Sequence, residues 1–317
     1  MSIPESFLAR LNLILSPETV DQVVTSFNSS KDVSFRVNTL LSSKAEVITE
    51  LKQIGIEFTQ SNWMADVFHV DPVQRDRLLD SRVSEDGLIY LQNPSSMLPV
   101  LELDPHAGDN VLDLTAAPGS KTSFMAALMN NSGHIAAVES VRGRYFKLNA
   151  NLDRLGVTNV KTFLKDGRKI SRYRPDHFDR VLLDAPCSSE GRFRAADPET
   201  TRYWSERKIA EMKRKQIQLL QSAVRCARVG GRIIYSTCSF APEENEEIVT
   251  RILKRCGSFI EAEPLAIECP NYAVPLKTWK GRTLNADYSR RVLPDSTMDG
   301  FYIARFVKTA PNPRRSQ

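Results

Sequence analysis

Residues 111 to 122 read VLDLTAAPGSKT, a short apolar run that gives way to small residues, a Pro-Gly pair and then a helical pattern. That order predicts a strand, a tight turn and a helix. Val111 to Leu114 would be a buried parallel strand, and Ala116, Ala117 and Gly119 carry so little side chain that a ligand can approach the backbone where the helix begins. In open α/β sheets this is the crevice at the strand ends where nucleotide-like ligands bind. The run lacks both the GxxxxGK[ST] spacing of a triphosphate cradle and the GxGxxG of a dinucleotide site. By itself it leaves a nucleoside-type cofactor and a plain structural turn both open.

The residues that follow repeat the theme. HIAAVES, residues 134 to 140, is an apolar strand ending in Glu139, where an acid on the second strand of such a unit reaches ribose hydroxyls. VKTFLKDG ends in Asp166, FDRVLLDAPCSSEG carries a fourth strand into Asp184, Pro186 and Cys187, and GGRIIYSTCS carries a fifth into Cys238. Polar and reactive groups thus recur along one rim of one sheet. Strand and helix patterns alternate to about residue 255, the signature of a parallel sheet with helices on both faces. The clearest helix is expected over residues 206 to 229, with Ile209, Met212, Ile217, Leu220, Val224 and Ala227 as its inward stripe and Gly230-Gly231 closing it.

Ahead of the sheet, apolar positions from Phe7 to Phe27 are helically spaced and broken at Ser16-Pro17, which predicts two short helices. VSFRVNTL then alternates as a strand, SKAEVITELKQIG has helical spacing closed by Gly55, and WMADVFHV returns to a strand. The organisation expected is a small α+β domain over residues 1 to 88, an α/β catalytic domain over 89 to 310, and a disordered tail over 311 to 317. Residues 264 to 298, irregular and rich in Pro and basic side chains, are a candidate flap over the cleft. GFYIARFVK supplies a last strand.

Composition narrows the function classes. With 41% hydrophobic and 26% charged residues the chain has the make-up of an ordinary soluble globular protein. No apolar run approaches the roughly 20 residues a membrane helix requires, and MSIPESFLARLN has Glu5 where a signal peptide needs a basic start. A cytoplasmic protein is expected. The five cysteines, at 187, 226, 238, 256 and 269, include no CxxC pair, which argues against a disulfide framework or a zinc site; no metal is expected. Charge is uneven: residues 1 to 90 hold 8 Lys and Arg against 13 Asp and Glu, whereas residues 91 to 317 hold 35 against 25. Residues 161 to 215 alone carry 15 basic side chains against 9 acidic ones. Such a cluster is either an electrostatic footprint for nucleic acid or a solvated surface.

Taken together, TAAPGSK, DAPCSSEG, YSTCS with EENE just after it, and RVLPDSTMDGFYIARF resemble the RNA cytosine-5 methyltransferases of the Sun/RsmB/RsmF group, which use S-adenosylmethionine. The resemblance runs from about residue 87 to 308, with an echo at RVNTL. Two departures stand out: Ser120 takes the place of a second glycine, and Asn93 and Pro94 replace an acidic residue and an alanine. The resemblance implies a Rossmann-like class I methyltransferase sheet.

Methylating carbon 5 of cytosine requires a thiolate to add at carbon 6, an acid near ring nitrogen 3 and a bound methyl donor. The residues alone do not choose between Cys187 and Cys238. The resemblance implies that Cys238 is the nucleophile and that Cys187 assists product release, whereas in DNA-directed relatives the Pro-Cys residue attacks. It further implies that Asp184 contacts the target cytosine, with Lys121 beside the transfer site. Cofactor contacts carry over to Thr115, Ala116, Ala117, Pro118, Gly119, Ser120 and Lys121, and to Glu139, Asp166 and Asp184. Arg36 and Asn38 of RVNTL become candidates for holding RNA, and Arg192 and Arg194 for touching its phosphates. Structural alternatives stand beside these: Asp166 capping a turn, Lys121 lying exposed on its helix, Arg36 and Asn38 pinning a turn. Cys226 and Cys256 read as packing residues.

A base inside a duplex hides carbon 6, so the target is single-stranded or flipped out. The reading that results is a monomeric RNA cytosine-5 methyltransferase, with ribosomal RNA ahead of transfer RNA. The rivals are a DNA-directed enzyme and a non-catalytic RNA-binding or ribosome-assembly factor with the same fold.

Overall fold

The structure, a computed structural model, describes residues 3 to 313. Helices α1 (Glu5–Ile14) and α2 (Pro17–Asn28) open the chain and part at Ser16, whose hydroxyl caps α2 by accepting from Thr19 N. Although they fall within the first 88 residues, they pack elsewhere. Phe7 and Phe27 are buried against Phe193, Phe240 and Trp204, from the far half of the chain, and Arg10 pairs with Glu243 at 2.7 Å.

The small sheet is built from β1 (Val33–Val37), β2 (Thr59–Gln60), β3 (Val67–Val70) and β4 (Ile89–Leu91), antiparallel in the order β2-β3-β1-β4. Helices α3 (Lys44–Gln53), α4 (Arg75–Leu79) and α5 (Arg82–Glu85) complete it around Phe35, Val47, Leu51, Phe68 and Leu78. A reciprocal capping box between Ser43 and Glu46 starts α3. The boundary expected at residue 88 falls just before β4, which belongs to this sheet. Alternation in VSFRVNTL suggests one buried face, yet Ser34 through Val37 are all buried. The small core covers one side of β1, and the large domain covers the other.

That large domain comprises α6 (Pro94–Leu103), β5 (Asn110–Asp113), α7 (Ser120–Leu128), β6 (His134–Glu139), α8 (Arg142–Arg154), β7 (Val160–Leu164), β8 (Phe178–Asp184), α9 (Glu206–Cys226), β9 (Ala227–Thr237) and α10 (Glu246–Cys256). It ends with β10 (Ile260–Glu263), β11 (Tyr272–Ala273), β12 (Thr278–Trp279), β13 (Arg282–Thr283), β14 (Arg290–Val292) and β15 (Phe301–Lys308). The main sheet runs β11-β14-β15-β9-β8-β5-β6-β7, with β10 also on β15; β5 to β9 are parallel and β15 is antiparallel to β9. Alternate residues feed opposite faces: Val181, Leu183 and Tyr235 join the core under α9 and α10, while Leu182 and Ile234 join that under α6 and α7. This is the expected α/β sheet with helices on both faces. Its connections reverse direction at β5, which puts a crevice at the carboxyl ends of β5 and β8.

Three expectations need correction. Helix α9 stops at Cys226, not at 229, because Gly230 and Gly231 lie inside β9 at the irregularity where its register with β8 shifts between Phe178 and Arg180. Residues 264 to 298 do not cover the cleft. They extend the sheet through β11 and β14, and Trp279 packs on Ile14 and Leu284. In the tail, Asn312 is docked, its Nδ2 donating to Asp176 Oδ2 at 2.8 Å and to Arg225 O at 2.9 Å; residues 314 to 317 lie outside the described residues. Among the described residues no helix is long and apolar enough to cross a membrane.

Candidate active site

The parallel pairing of β8 with β9 sets Asp184 opposite Ser236, so the two strands leave the sheet side by side. Three residues later on one and two on the other, Cys187 and Cys238 bring their Sγ atoms to 3.3 Å, both as free thiols. Either thiol can donate across this contact, and the surroundings favour Cys187 as the donor. That hydrogen bond, helped by the charge of Arg192, outweighs burial and lowers the pKa of Cys238. The same contact, with burial, holds Cys187 protonated and raises its pKa well above the ordinary thiol value. Two like residues are thereby made unlike, one poised as thiolate and the other as its proton donor.

Asp184 sits between two donors, with Lys121 Nζ at 2.6 Å from Oδ2 and Ser236 Oγ at 2.9 Å from Oδ1. Lys121 is buried, not exposed on its helix; it reaches from the first turn of α7 and also donates to Ser96 Oγ at 2.6 Å. Ser96 belongs to NPSSMLP, where Asn93 caps α6 through Ser95 N, accepts from Asp299 N and donates to Thr297 O. The departure from the family's pattern at Asn93 therefore ties the cofactor rim to the RVLPDSTMDG segment. Cys238, Asp184, Lys121, Arg192, Ala117, Pro118 and Ser120 line one cleft of about 300 Å³.

Below this rim lies a buried polar scaffold that the sequence did not announce. Glu244 accepts from Ser188 N and Oγ, Ser188 meets Ser239 at 2.9 Å, and Ser239 donates to Glu190. Glu190 also accepts from Phe240 N and from Trp204 Nε1 at 2.7 Å. Each residue of EENE thus has its own anchor: Glu243 takes Arg10, Glu244 takes Ser188, Asn245 holds Ser239 O and Thr237, and Glu246 is gripped by Arg291 through two bonds of 2.7 Å. Burial, then the neighbouring Glu190, pushes the Glu244 carboxyl up to about 8.

The residues of the first turn suit a nucleoside-bearing methyl donor. Thr115 donates to Asp184 O at 2.8 Å, and Gly119 takes φ +104, where a Cβ would crowd Leu148. Beneath the turn Asp113 accepts from Thr122 Oγ1 at 2.7 Å, and burial raises its carboxyl to about 6. Nothing in the VLDL run marked Asp113 as more than a strand residue. Glu139 ends β6; its Oε1 accepts from Val141 N, while Oε2 faces Arg144 at 3.5 Å. Arg144 in turn donates to Ala117 O at 2.6 Å, linking Glu139 to the turn.

Other expected residues sit apart. Asp166 does not line this cleft: it caps the turn that follows, accepting from Arg168 N and gripping the Arg168 guanidinium at 2.6 Å. Arg36 is buried, donating to Gln92, Ser123 Oγ and Ser120 O, and Asn38 is buried, donating to Gly87 O and Leu155 O. Neither offers RNA a free surface; they join the small sheet to the large domain. Arg194 is paired with Asp299 at 2.6 Å. Arg192, by contrast, is exposed and lines the cleft.

The chain is similar to known proteins over nearly its whole length. The family described as 16S rRNA methyltransferase RsmB/F matches residues 100 to 307. Ribosomal RNA small subunit methyltransferase F of Escherichia coli O1:K1 / APEC is 35% identical, with 98% of this chain and 64% of that protein covered. The protein of that name from Serratia proteamaculans (strain 568) is also 35% identical, with 96% and 63% covered. The chain thus spans a little under two thirds of the length of these relatives. Among solved structures, a methyltransferase homolog protein from Pyrococcus horikoshii aligns at TM-score 0.77 and 31% identity over 97% of this chain and 100% of that one. NSun6 from the same organism, solved with SFG, aligns at TM-score 0.83 and 22% identity over 97% and 98%, a likeness of fold.

Proposed function

The chain belongs to the RsmB/F family of 16S rRNA methyltransferases, and from that premise we propose that it methylates carbon 5 of a cytosine in small-subunit ribosomal RNA through a transient covalent bond to Cys238. The observation that carries this reading is the thiol pair, 3.3 Å apart at adjacent strand ends, with one sulfur's pKa lowered and the other's raised. Carbon 5 of cytosine becomes nucleophilic only after a nucleophile has added at carbon 6. Cys238 is that nucleophile: its electron pair forms the S–C6 bond while ring nitrogen 3 takes a proton held by the Lys121–Asp184 pair. S-adenosylmethionine, when bound, supplies an electrophilic methyl group; Thr115 to Lys121 and Glu139 are the residues to hold it.

Once carbon 5 is methylated its proton must leave, and the electrons of that C–H bond expel the sulfur of Cys238. Cys187 takes the proton at this stage. While Cys238 is a thiolate, Cys187 is held protonated by it; once Cys238 is a neutral thioether that hold is gone, and Cys187 gives its own proton to solvent and, as the thiolate, accepts the proton from carbon 5. One chain supplies both cysteines, Lys121, Asp184 and Arg192, which supports action as a monomer, and a ribosomal substrate implies the cytoplasm.

The test is methyl incorporation from labelled S-adenosylmethionine into unmodified RNA. Cys238→Ser is expected to give none, and Cys187→Ser to stall as a protein–RNA adduct that survives denaturing electrophoresis. The opposite pattern assigns the attack to Cys187 as in DNA-directed enzymes. RNA binding with no incorporation into ribosomal or transfer RNA points to a non-catalytic factor.

A further inference from the structure

A phosphodiester joins consecutive nucleotides, so an enzyme that takes one base into a recess must accommodate the next nucleotide close by. Two recesses meet at the cysteine pair. The cleft of about 300 Å³ carries Cys238, Asp184 and Lys121. On the other side, a cavity of about 390 Å³ is lined by Cys187, Tyr203, Trp204 and Lys208. Among the described residues Arg192 alone lines both.

The cations around it are paired with acids, while Asp197, which lines the same cavity, has no cationic partner among the described residues. Arg194 holds Asp299, Arg202 holds Glu199 at 3.1 Å, Lys208 holds Glu211 at 3.3 Å, and Asp197 accepts from Glu199 N. The Arg192 guanidinium makes no hydrogen bond or ion pair among the described residues, and it is exposed. A cation between two recesses, facing solvent and without an acid of its own, is placed for the phosphate that links two nucleotides.

Tyr203 is 72% exposed, and one face of its ring lies 5.2 Å from the Arg202 guanidinium, leaving the other open. A lone exposed tyrosine is ordinary. This one is displayed from a loop that is fixed at several points: Trp204 Nε1 donates to buried Glu190, Thr200 Oγ1 accepts from Arg194 N at 3.0 Å, and Gly191 packs so tightly on Gly300 that a Cβ there would collide with its carbonyl.

We propose that this second cavity is the subsite for the nucleotide adjoining the target cytosine, its base against the open face of Tyr203 and the intervening phosphate on Arg192. The assignment rests on the methyltransferase reading above. Stacking on an aromatic face tolerates any base, so the subsite steadies the neighbour without selecting its identity. Its consequence is kinetic: the strand is pinned beside Cys187 while the target base enters the Cys238 cleft.

The experiment measures transfer of tritiated methyl groups from S-adenosylmethionine to an unmodified 16S rRNA transcript, free and assembled into small-subunit particles, by the full chain and its Tyr203→Ala and Tyr203→Phe variants. Tyr203→Ala should raise KM for RNA roughly tenfold while kcat and KM for S-adenosylmethionine stay within about twofold. Tyr203→Phe, which keeps the stacking face, should match the wild type. An RNA KM for Tyr203→Ala within about twofold of wild type, or a loss confined to kcat, overturns the subsite and leaves the methyltransferase reading standing. A wild-type protein that transfers nothing to either form of the RNA overturns both.

Discussion

Two arginines, Arg36 and Arg192, both look from the sequence like groups for RNA, and their surroundings differ at every point. Arg36 lies at the joint between β1 and α7, 1% exposed, its nitrogens donating to Gln92, Ser123 and Ser120 O and its plane between Tyr90 and Phe124. Asn38 beside it is engaged with Gly87 O and Leu155 O, and of the Arg36 guanidinium only Nη1 lacks a partner among the described residues. The Arg192 guanidinium at the rim is exposed and donates to nothing among the described residues, and the cysteines next to it are free thiols in hydrogen-bond contact. The joint uses most of its hydrogen-bonding capacity on the protein itself, in burial, while the rim leaves reactive and charged groups open to solvent. Beneath the rim, however, the buried carboxylates behave like those of a joint, and they hold the reactive groups in place.

The largest effect expected from breaking that support is at Glu246. Arg291 and Glu246 are both essentially buried and meet through two bonds of 2.7 Å, and Arg291 also donates to Phe240 O, two residues beyond Cys238. Replacing Glu246 by Ala strands a buried guanidinium, and a denaturant titration should show a loss of about 3–5 kcal/mol. Adding Arg291→Met should recover much of it. A single variant as stable as wild type would mean that the rim is not supported from below.

Glu244 gives the next effect, and its sign is fixed by burial. Its carboxyl is raised to about 8 from an ordinary 4.5, so the fold favours the protonated form. Relative to a Gln at this position, the stability it contributes is therefore complete below about pH 4.5, declines as pH rises, and is gone above about pH 8. Glu190 faces it through Ser239 and is itself pushed up by burial, so ionising both acids together is opposed. Glu244→Gln should match wild type near pH 4.5 and exceed it near pH 9 by on the order of 5 kcal/mol, read from thermal midpoints. Parallel pH curves would contradict a protonated Glu244.

Arg36→Met sharpens the contrast directly. Burial lowers the Arg36 pKa to about 10, and no carboxylate among the described residues partners it, so the change removes hydrogen bonds without orphaning an opposite charge. Stability should fall by about 1–3 kcal/mol, with KM for RNA unchanged. A selective rise in RNA KM would return Arg36 to the RNA contacts.

What could be read in the chain follows the same division. Strand ends are local, so the periodicity that marked β5, β6, β8 and β9 also marked Glu139, Asp184, Cys187 and Cys238 as neighbours on one rim. The supporting network is not local: Ser188 to Glu244, Glu190 to Phe240 and Glu246 to Arg291 join residues 45 to 56 positions apart, and no spacing rule reports them. The burial of Arg36 was not legible for a related reason. Alternation in a strand tells which residues share a face, but whether the second face meets water or another domain is decided by residues 80 and more positions away, here Ser120 and Ser123.

Asp166 should give the smallest effect, and it tests the limits of strand-end reasoning. It lies two residues past β7, at the edge of the sheet, and the resemblance makes it a cofactor contact. Its carboxylate is held instead by Arg168, which donates from both its backbone N and its guanidinium and keeps the pKa below the ordinary value. The pair is partly exposed, so the ion pair itself contributes little. As a cap, Asp166→Ala should cost about 1 kcal/mol and leave KM for S-adenosylmethionine unchanged. A strand-end acid acts on a ligand only where its lone pairs are not already claimed by the turn it begins. At Asp184 the donors are side chains on two other elements, which fix the carboxylate over the cleft; at Asp166 the donor is the next turn of the same chain, which draws the carboxylate back onto the fold. A clear rise in cofactor KM for Asp166→Ala would mean that Arg168 gives way when the methyl donor binds.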